Sequence, residues 1–277
     1  MMKTLVYIHD QFMKGEEATL SPLDLSVLRG FGVMDYLRTY GGEPFRLRAH
    51  LERFVFSANE IGLTVPKSIE EMEQIVEELI ERGGYPETSI KVVLTGGISE
   101  DQLMPQGPPT FFAVAYPFKP FPEHYFREGI QITTSCYQRP FPQAKSIVYL
   151  PAIMALKKGG VDVLFYNEKE ELLETGTANF FALKEGKIIT PKTGILDGIT
   201  RQVVLELADV EQRTITKEEI NTFEGAFLTS SNKEVMPVVQ IDHVVMNNGV
   251  IPFTILDLMQ RFANHTKNIS KKSLQIN

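Results

Sequence analysis

The sequence has no tryptophan and a single cysteine, Cys136, in 277 residues. One thiol cannot close an internal disulfide, so nothing here points to an oxidising compartment. Cys136 is either a reactive thiol or, more blandly, a small buried hydrophobe. Positive charge is also scarce: 28 Lys and Arg stand against 35 Asp and Glu, a net charge of −7. Nucleic-acid-binding domains carry a basic face, so a nucleic-acid partner is excluded, and an anionic membrane surface is disfavoured. A few placed cations can still hold a small anion. No window approaches the eighteen or so apolar residues of a membrane span. The opening MMKTLVYIHDQFM lacks the apolar core and cleavage site of a leader, so a soluble cytoplasmic protein is expected.

Several motifs are missing too. No GxGxxG follows a strand, and neither a P-loop nor GxSxG occurs; Arg29-Gly-Phe-Gly32 matches none of them. Five histidines and one cysteine show no metal-ligand spacing, so no metal is expected.

What is present is a mixed pattern of strands and helices. Thr4–Ile8 and Met34–Tyr40 read as strands, with Gly41-Gly42 as a turn. Leu47, Leu51, Phe54, Val55, Ala58 and Ile61 have helical spacing, and Ser68-Ile-Glu-Glu71 opens a helix that runs to Gly83-Gly84. Ser89–Thr95 and Thr110–Tyr116 are strand-like around the exposed loop GGISEDQLMPQGPP. The proline-rich Pro117–Tyr125 resists both helix and central strand. It therefore divides an α/β domain over 1–116 from a second over 126–277, with 117–125 as linker. Beyond it come strands at Ile130–Cys136, Val161–Tyr166, Phe180–Leu183 and Ala226–Thr229. Helices are expected from Tyr149 to Lys158, Thr200 to Asp209 and Ile255 to Phe262, with a capping box at Thr216–Glu219. The polar tail Asn264–Asn277 is expected to be unstructured.

Within this α/β (α+β) frame, a few residues could carry chemistry. Lys145 precedes a long uncharged stretch, and a lysine in apolar surroundings favours the neutral amine that Schiff-base chemistry needs. A snorkelling surface lysine is the alternative. Glu174, between Leu172-Leu173 and the small run Thr175–Ala178, is either a loop carboxylate or a semi-buried acid needing a partner such as a protonated pyridine. Gly198 leads into a helix near Thr200, where backbone N–H groups, the helix dipole and a hydroxyl suit a phosphate or a plain N-cap. Ser231-Asn-Lys-Glu234 reads as another capping box. His50 and Arg53 share a helix face; Arg53 could grip a phosphate dianion or pair with Glu52 or Glu60.

The order of these segments is more specific than any one of them. FGVMDYLRTYGG, PFRLRAHLERF, AKSIVYLPAIMA, ELLETGTANFFALKEGKIITP, GILDGITR and FLTSSNKEVMPV, from about Tyr7 to Asp242, resemble the class IV (fold-type IV) aminotransferases. That group includes branched-chain aminotransferases, D-amino-acid aminotransferases and aminodeoxychorismate lyases. The resemblance implies a two-domain, D-amino-acid-aminotransferase-like fold that uses pyridoxal 5′-phosphate. It makes Lys145 the catalytic lysine, which holds the cofactor and moves a proton between substrate Cα and cofactor C4′. Glu174 then keeps the pyridine nitrogen protonated, while Arg53, Ile199, Thr200 and Ser231 hold the phosphate. Asn179 orients the Glu174 loop, and Tyr149 approaches the ring hydroxyl, one residue off the branched-chain offset from Lys145. The family's homodimer, with sites at the domain junction completed by the neighbouring subunit, is expected as well.

Departures bear on the substrate. Met34 stands where the family carries an aromatic, and TGGISEDQ lacks the Arg-x-His pair of D-amino-acid enzymes. The Lys145 segment nonetheless reads KSxxxLP, as in the D-amino-acid branch. A substrate carboxylate needs a cation or N–H groups, and the candidates are Arg29, Arg38 and Asn232 in the Ser231–Asn232 turn; either arginine could instead be a structural ion pair. The expected activity is amino-group exchange between an amino acid, leaning to apolar branched-chain L-amino acids, and a 2-oxo acid. D-amino-acid transamination, an aminodeoxychorismate lyase and a non-catalytic cofactor-binding protein are the alternatives.

Overall fold

The computed structural model describes residues 4–157 and 159–273, and the chain forms two compact units. The first comprises the described residues up to Lys119, the segment Ala144–Val148 and the described residues from Thr266; the second holds Pro120–Gln143 and Tyr149–His265.

In the first unit, β1 (Leu5–Ile8), β2 (Gln11–Lys14), β3 (Gly32–Tyr40), β4 (Glu43–Pro44), β5 (Thr88–Thr95) and β6 (Thr110–Pro117) form an antiparallel sheet in the order β2-β1-β6-β5-β3-β4. Helices α2 (Leu47–Glu60) and α3 (Ile69–Gly83) cover it. The period-2 pattern of β3 puts Val33, Asp35 and Leu37 on one face, all fully buried. The 3.6-period stripe of α2 supplies Leu51, Phe54 and Ala58 to the same core. Ser68 caps α3 through the complete capping box that its spacing with Glu71 announces. The short α1 (Leu25–Arg29) has too few residues to show a period; Asp24 caps it and Gly30 closes it in the left-handed region.

The second unit is built on a larger mixed sheet. In chain order its strands are β7 (Ile130–Cys136), β8 (Val163–Tyr166), β9 (Leu172–Thr175), β10 (Asn179–Lys184), β11 (Lys187–Pro191), β12 (Val210–Arg213), β13 (Gly225–Ser230), β14 (Glu234–Ile241) and β15 (Val244–Val245). They run β12-β11-β10-β13-β14-β7-β8-β9, with β15 paired to β14. With them go α4 (Glu123–Glu128), α5 (Leu150–Leu156), α6 (Ile199–Leu207) and the part of α7 (Phe253–Ser273) up to His265. Phe180, Phe181 and Phe227 are fully buried, and Phe181 stacks on Phe227 at 4.7 Å. No helix among the described residues is long and apolar enough to cross a membrane.

Four expectations change here. Ser231–Glu234 opens no helix: Ser230 pairs with Glu234, leaving a three-residue hairpin connection closed by Glu234 at φ 55°. A left-handed residue after three loop residues is how such hairpins match strand twist. The pairing of β13 with β14 on either side outweighs the capping-box spelling. The tail also continues as α7 to Ser273, because Ile255, Leu258, Phe262 and Thr266 extend one buried stripe past Asn264; residues 274–277 lie outside the described residues. Helix α5 stops at Leu156, and Lys158 lies outside the described residues. Cys136 is exposed at the end of β7.

Phe54 is fully buried against Phe111 in the first core. Phe54→Ala should cost about 3–5 kcal/mol, read as a lowered urea midpoint; an unchanged midpoint would contradict this packing.

Candidate active site

Lys145 is held by its backbone in an extended segment of the first unit. Its N–H donates to Ser57 Oγ at 3.0 Å, and its carbonyl accepts from Met34 N–H at 2.9 Å. Ser146 bridges Val33, and Ile147 N–H donates to Gly32 O. Gly32 fits here because a Cβ would stand 2.6 Å from the Leu94 carbonyl oxygen. Ser57 Oγ in turn donates to the Arg53 carbonyl. Helix α2 thus fixes the lysine's main chain and leaves its side chain half-buried.

On the neighbouring turn of α2, Arg53 pairs with Asp35. Its Nε and Nη2 donate to the two oxygens of Asp35, both at 2.8 Å. His50 Nδ1 lies 2.7 Å from Asp35 Oδ1. A carboxylate there requires an Nδ1–H donor, so the neutral imidazole keeps its proton on Nδ1. Nε2 is buried with no hydrogen-bond partner. Burial alone would raise the Asp35 carboxyl pKa, but Arg53 and His50 outweigh it and hold the group well below the carboxylate range. Burial pushes the His50 imidazole down; Asp35 opposes this, while Arg53 and Lys145 add to it, and the net shift is downward.

In the second unit Glu174 is buried at the end of β9. Its Oε1 accepts from Arg139 Nε at 2.9 Å and from Arg139 Nη2, which also donates to the Pro142 carbonyl. Its Oε2 accepts the Leu196 N–H at 3.1 Å and lies 3.4 Å from Asn179 Nδ2, which donates to Leu196 O at 2.8 Å. A carboxylate has about four acceptor positions, and 3.4 Å is longer than a good N–H···O bond. The donors around Glu174 therefore leave it capacity for a cationic ring N–H. Gly198 caps α6 without a side-chain bond, and no acidic residue sits in the first turn. A Cβ at Gly198 would come within 1.9 Å of Asn179 Oδ1, so only glycine joins this helix to that loop. Ile199 and Thr200 are buried at the helix start, where amides and dipole favour an anion. Ser231 and Asn232 are half-buried in the β13–β14 connection, and Ser230 Oγ donates to Asn232 Oδ1. Tyr149 precedes α5 and packs with Ala152, Ala155, Val163 and Phe165.

The two arginines singled out for a substrate carboxylate differ in setting. Arg29 is exposed at the end of α1, with Nη1 on the Leu28 carbonyl. Arg38 is buried; its guanidinium stands 4.2 Å from the Tyr40 ring centroid and 3.5 Å from that of Phe118, and its Nε donates to Thr39 O. Sequence reasoning passed over Asp35, Ser57 and Arg139. Asp35 carried a signal, a carboxylate in phase with apolar Val33 and Leu37; Arg139 and Ser57 carried none.

A lysine fixed by its main chain, a paired carboxylate and a helix start suited to phosphate are what a pyridoxal-phosphate enzyme needs. The Amino-transferase class IV family model matches residues 32–241, and the chain belongs to that family. It is 31% identical over 275 residues to a putative branched-chain-amino-acid aminotransferase of Methanocaldococcus jannaschii, covering 93% of this chain and 94% of the relative. It is 27% identical over 296 residues to a D-alanine aminotransferase of Staphylococcus epidermidis, covering 96% and 99%. The branched-chain aminotransferase of the thermophilic archaeon Thermoproteus uzoniensis, solved with norvaline, superposes with a TM-score of 0.88 at 26% identity, covering 99% of this chain and 98% of that one. Class IV aminotransferases use pyridoxal 5′-phosphate, and this protein is an aminotransferase.

The Asp35–His50 pair generates a pH prediction. An unfolded His50 takes up a proton as pH falls through about 6.5, whereas the folded imidazole resists it until a lower pH. Stability is therefore present above 6.5 and declines below it, by about 1.4 kcal/mol per pH unit; Asp35, shifted down, adds its own loss only at lower pH. His50→Gln should flatten the decline in urea midpoint between pH 6.5 and 5. Parallel slopes for variant and wild type would refute the assignment.

Proposed function

We propose that the protein moves the amino group of an apolar, branched-chain L-amino acid to a 2-oxo acid. One observation carries the substrate preference: the loop between β5 and β6, residues 96–109, contains no arginine, lysine or histidine. It is ordered on Asp101, which accepts from Ser99 Oγ, Leu103 N–H and Met104 N–H, and it presents exposed Leu103 and Met104. A loop of this chemistry suits an apolar side chain. The relative named as a branched-chain enzyme supports the same reading.

When bound, pyridoxal phosphate supplies an electron sink for charge developing at the substrate Cα. Lys145 would hold the cofactor and, once released from it as a free ε-amine, would take the proton from the substrate Cα and return it at C4′. Glu174 holds the proton on the ring nitrogen, and Arg139 keeps that carboxylate aimed. Arg53, the Ile199 and Thr200 amides, the Thr200 hydroxyl and Ser231 would hold the phosphate. Asp35 would serve this grip by fixing the plane of the Arg53 fork. Asn179 ties the Glu174 loop to Leu196, and Tyr149 donates to the ring hydroxyl. For the substrate carboxylate the candidates are the Ser231–Asn232 turn in the second unit and exposed Arg29 in the first; Arg38, already flanked by two rings, is the weaker candidate.

A second reading, transfer from D-amino acids, is favoured by the KSxxxLP spelling at Lys145 and by the D-alanine aminotransferase relative. Adding pyridoxal phosphate to the protein should give a visible absorbance band absent in Lys145→Ala and bleached by L-leucine, L-isoleucine or L-valine. Bleaching by D-alanine alone would select the second reading. A band untouched by any amino acid, with pyruvate released from aminodeoxychorismate, would make the protein a lyase.

The assembly proposed is a homodimer. The first unit leaves Val27, Ile98, Leu103 and Met104 exposed, and the second leaves Leu150, Ile153 and Met154 exposed on α5. Exposed apolar side chains on each unit suit surfaces that a partner subunit covers. Sedimentation should give twice the chain mass, and Ile153→Asp with Met154→Asp should shift it towards the monomer; a monomeric wild type would exclude the dimer.

A further inference from the structure

The roles above leave one buried lysine unused. Lys233, 2% exposed, sits in the connection between β13 and β14 and reaches Asp162, which is fully buried ahead of β8. Its Nζ lies 3.1 Å from Asp162 Oδ2 and also donates to Thr177 Oγ1. Thr177 Oγ1 donates onward to Asp162 Oδ2 at 2.7 Å, and Thr175 Oγ1 lies 3.0 Å from the same oxygen. Asp162 Oδ1 accepts the Val163 N–H at 2.8 Å. Thr175 Oγ1 accepts the Ala178 N–H at 2.9 Å, and the Phe121 ring centroid lies 5.2 Å from the ammonium.

A buried ion pair is not the cheapest way to fill this volume. Removing two charges from water costs more than apolar packing would, so such a pair is weak evidence for stability. What it provides is direction and length, because the charges and their hydrogen bonds tolerate one geometry. The segments it ties together are telling. Thr175–Ala178 is the link between Glu174 and Asn179, and Lys233 directly follows Ser231 and Asn232 in the hairpin connection. The network therefore joins the loop with the ring-nitrogen carboxylate to the turn with the phosphate hydroxyl, both within the second unit.

We propose that Lys233 and Asp162 are positioning residues that set the Glu174–Asn179 loop and the Ser231–Asn232 turn in register for one cofactor. This rests on the pyridoxal-phosphate roles assigned above. Neither residue touches the cofactor; each acts through a loop that does.

The test is the double substitution Lys233→Met with Asp162→Asn in the full chain, which removes both charges together and leaves no lone buried ion. Cofactor affinity is read by titrating the stripped protein with pyridoxal phosphate at a temperature well below the melting transition of wild type and variant. A merely structural pair would lower the melting temperature and leave the affinity of the folded protein unchanged. The expected result is affinity at least tenfold weaker, with a shifted absorbance maximum for the bound cofactor. Unchanged affinity and maximum in a folded double variant, beside a wild type showing the Lys145-dependent band, would overturn this inference alone. A wild type that binds no pyridoxal phosphate would overturn it together with the function it rests on. Should the double variant not fold, Thr177→Val, which deletes the hydroxyl shared by both charges, carries the same comparison, with a threefold or greater loss expected and no loss overturning the proposal.

Discussion

A carboxylate inside a protein needs hydrogen-bonding or cationic partners, and three of the buried acids, each given a cation, organise this molecule. Asp35 takes Arg53, Glu174 takes Arg139, and Asp162 takes Lys233. Each pair joins elements distant in sequence, and each stands beside groups assigned to the cofactor. The apolar cores bring strands and helices together with a tolerance that hydrophobic contact allows. The ion pairs remove that tolerance where it matters, because a bidentate guanidinium accepts one plane and one distance.

The same requirement explains the neutral imidazole. His50 gives Asp35 a donor where Arg53 already supplies the positive charge, so its second nitrogen is buried without a proton and without a hydrogen-bond partner. A charged ring there would add a second cation beside Arg53 and near Lys145. Burial, helped by Arg53 and Lys145, outweighs Asp35 and favours the neutral form.

Long amphipathic or alternating stretches were legible from the sequence. The stripe Leu47–Ala58, the Ser68–Glu71 capping box and the strands Ile130–Cys136 and Phe180–Leu183 appear where their periods put them. So was the class of chemistry, since six motifs in order describe one family. What was not legible depended on distance. Arg139 looks like any loop arginine until Glu174, 35 residues on, folds against it. Ser57 is one more small residue on a helix until the Lys145 backbone arrives 88 residues later. The Ser231–Glu234 spelling fits a helix cap and a hairpin equally, and only pairing of Ser230 with Glu234 decides. Cys136 and the tail beyond Asn264 were misread because composition says little about which neighbour a chain end or a strand end will meet.

The lysine's place in the chain has a consequence for how such a protein can change over time. Ala144–Val148 belongs to the first unit, although the residues on both sides of it belong to the second, and the first unit is joined again from Thr266. No single cut separates the two units as continuous pieces. A recombination event at the proline-rich stretch near Lys119 would deliver the Asp35–Arg53 cluster with one parent and the lysine it steadies with the other. The two units are therefore inherited as one object, and new specificities have to arise by changing residues in loops such as 96–109 rather than by exchanging whole units between relatives.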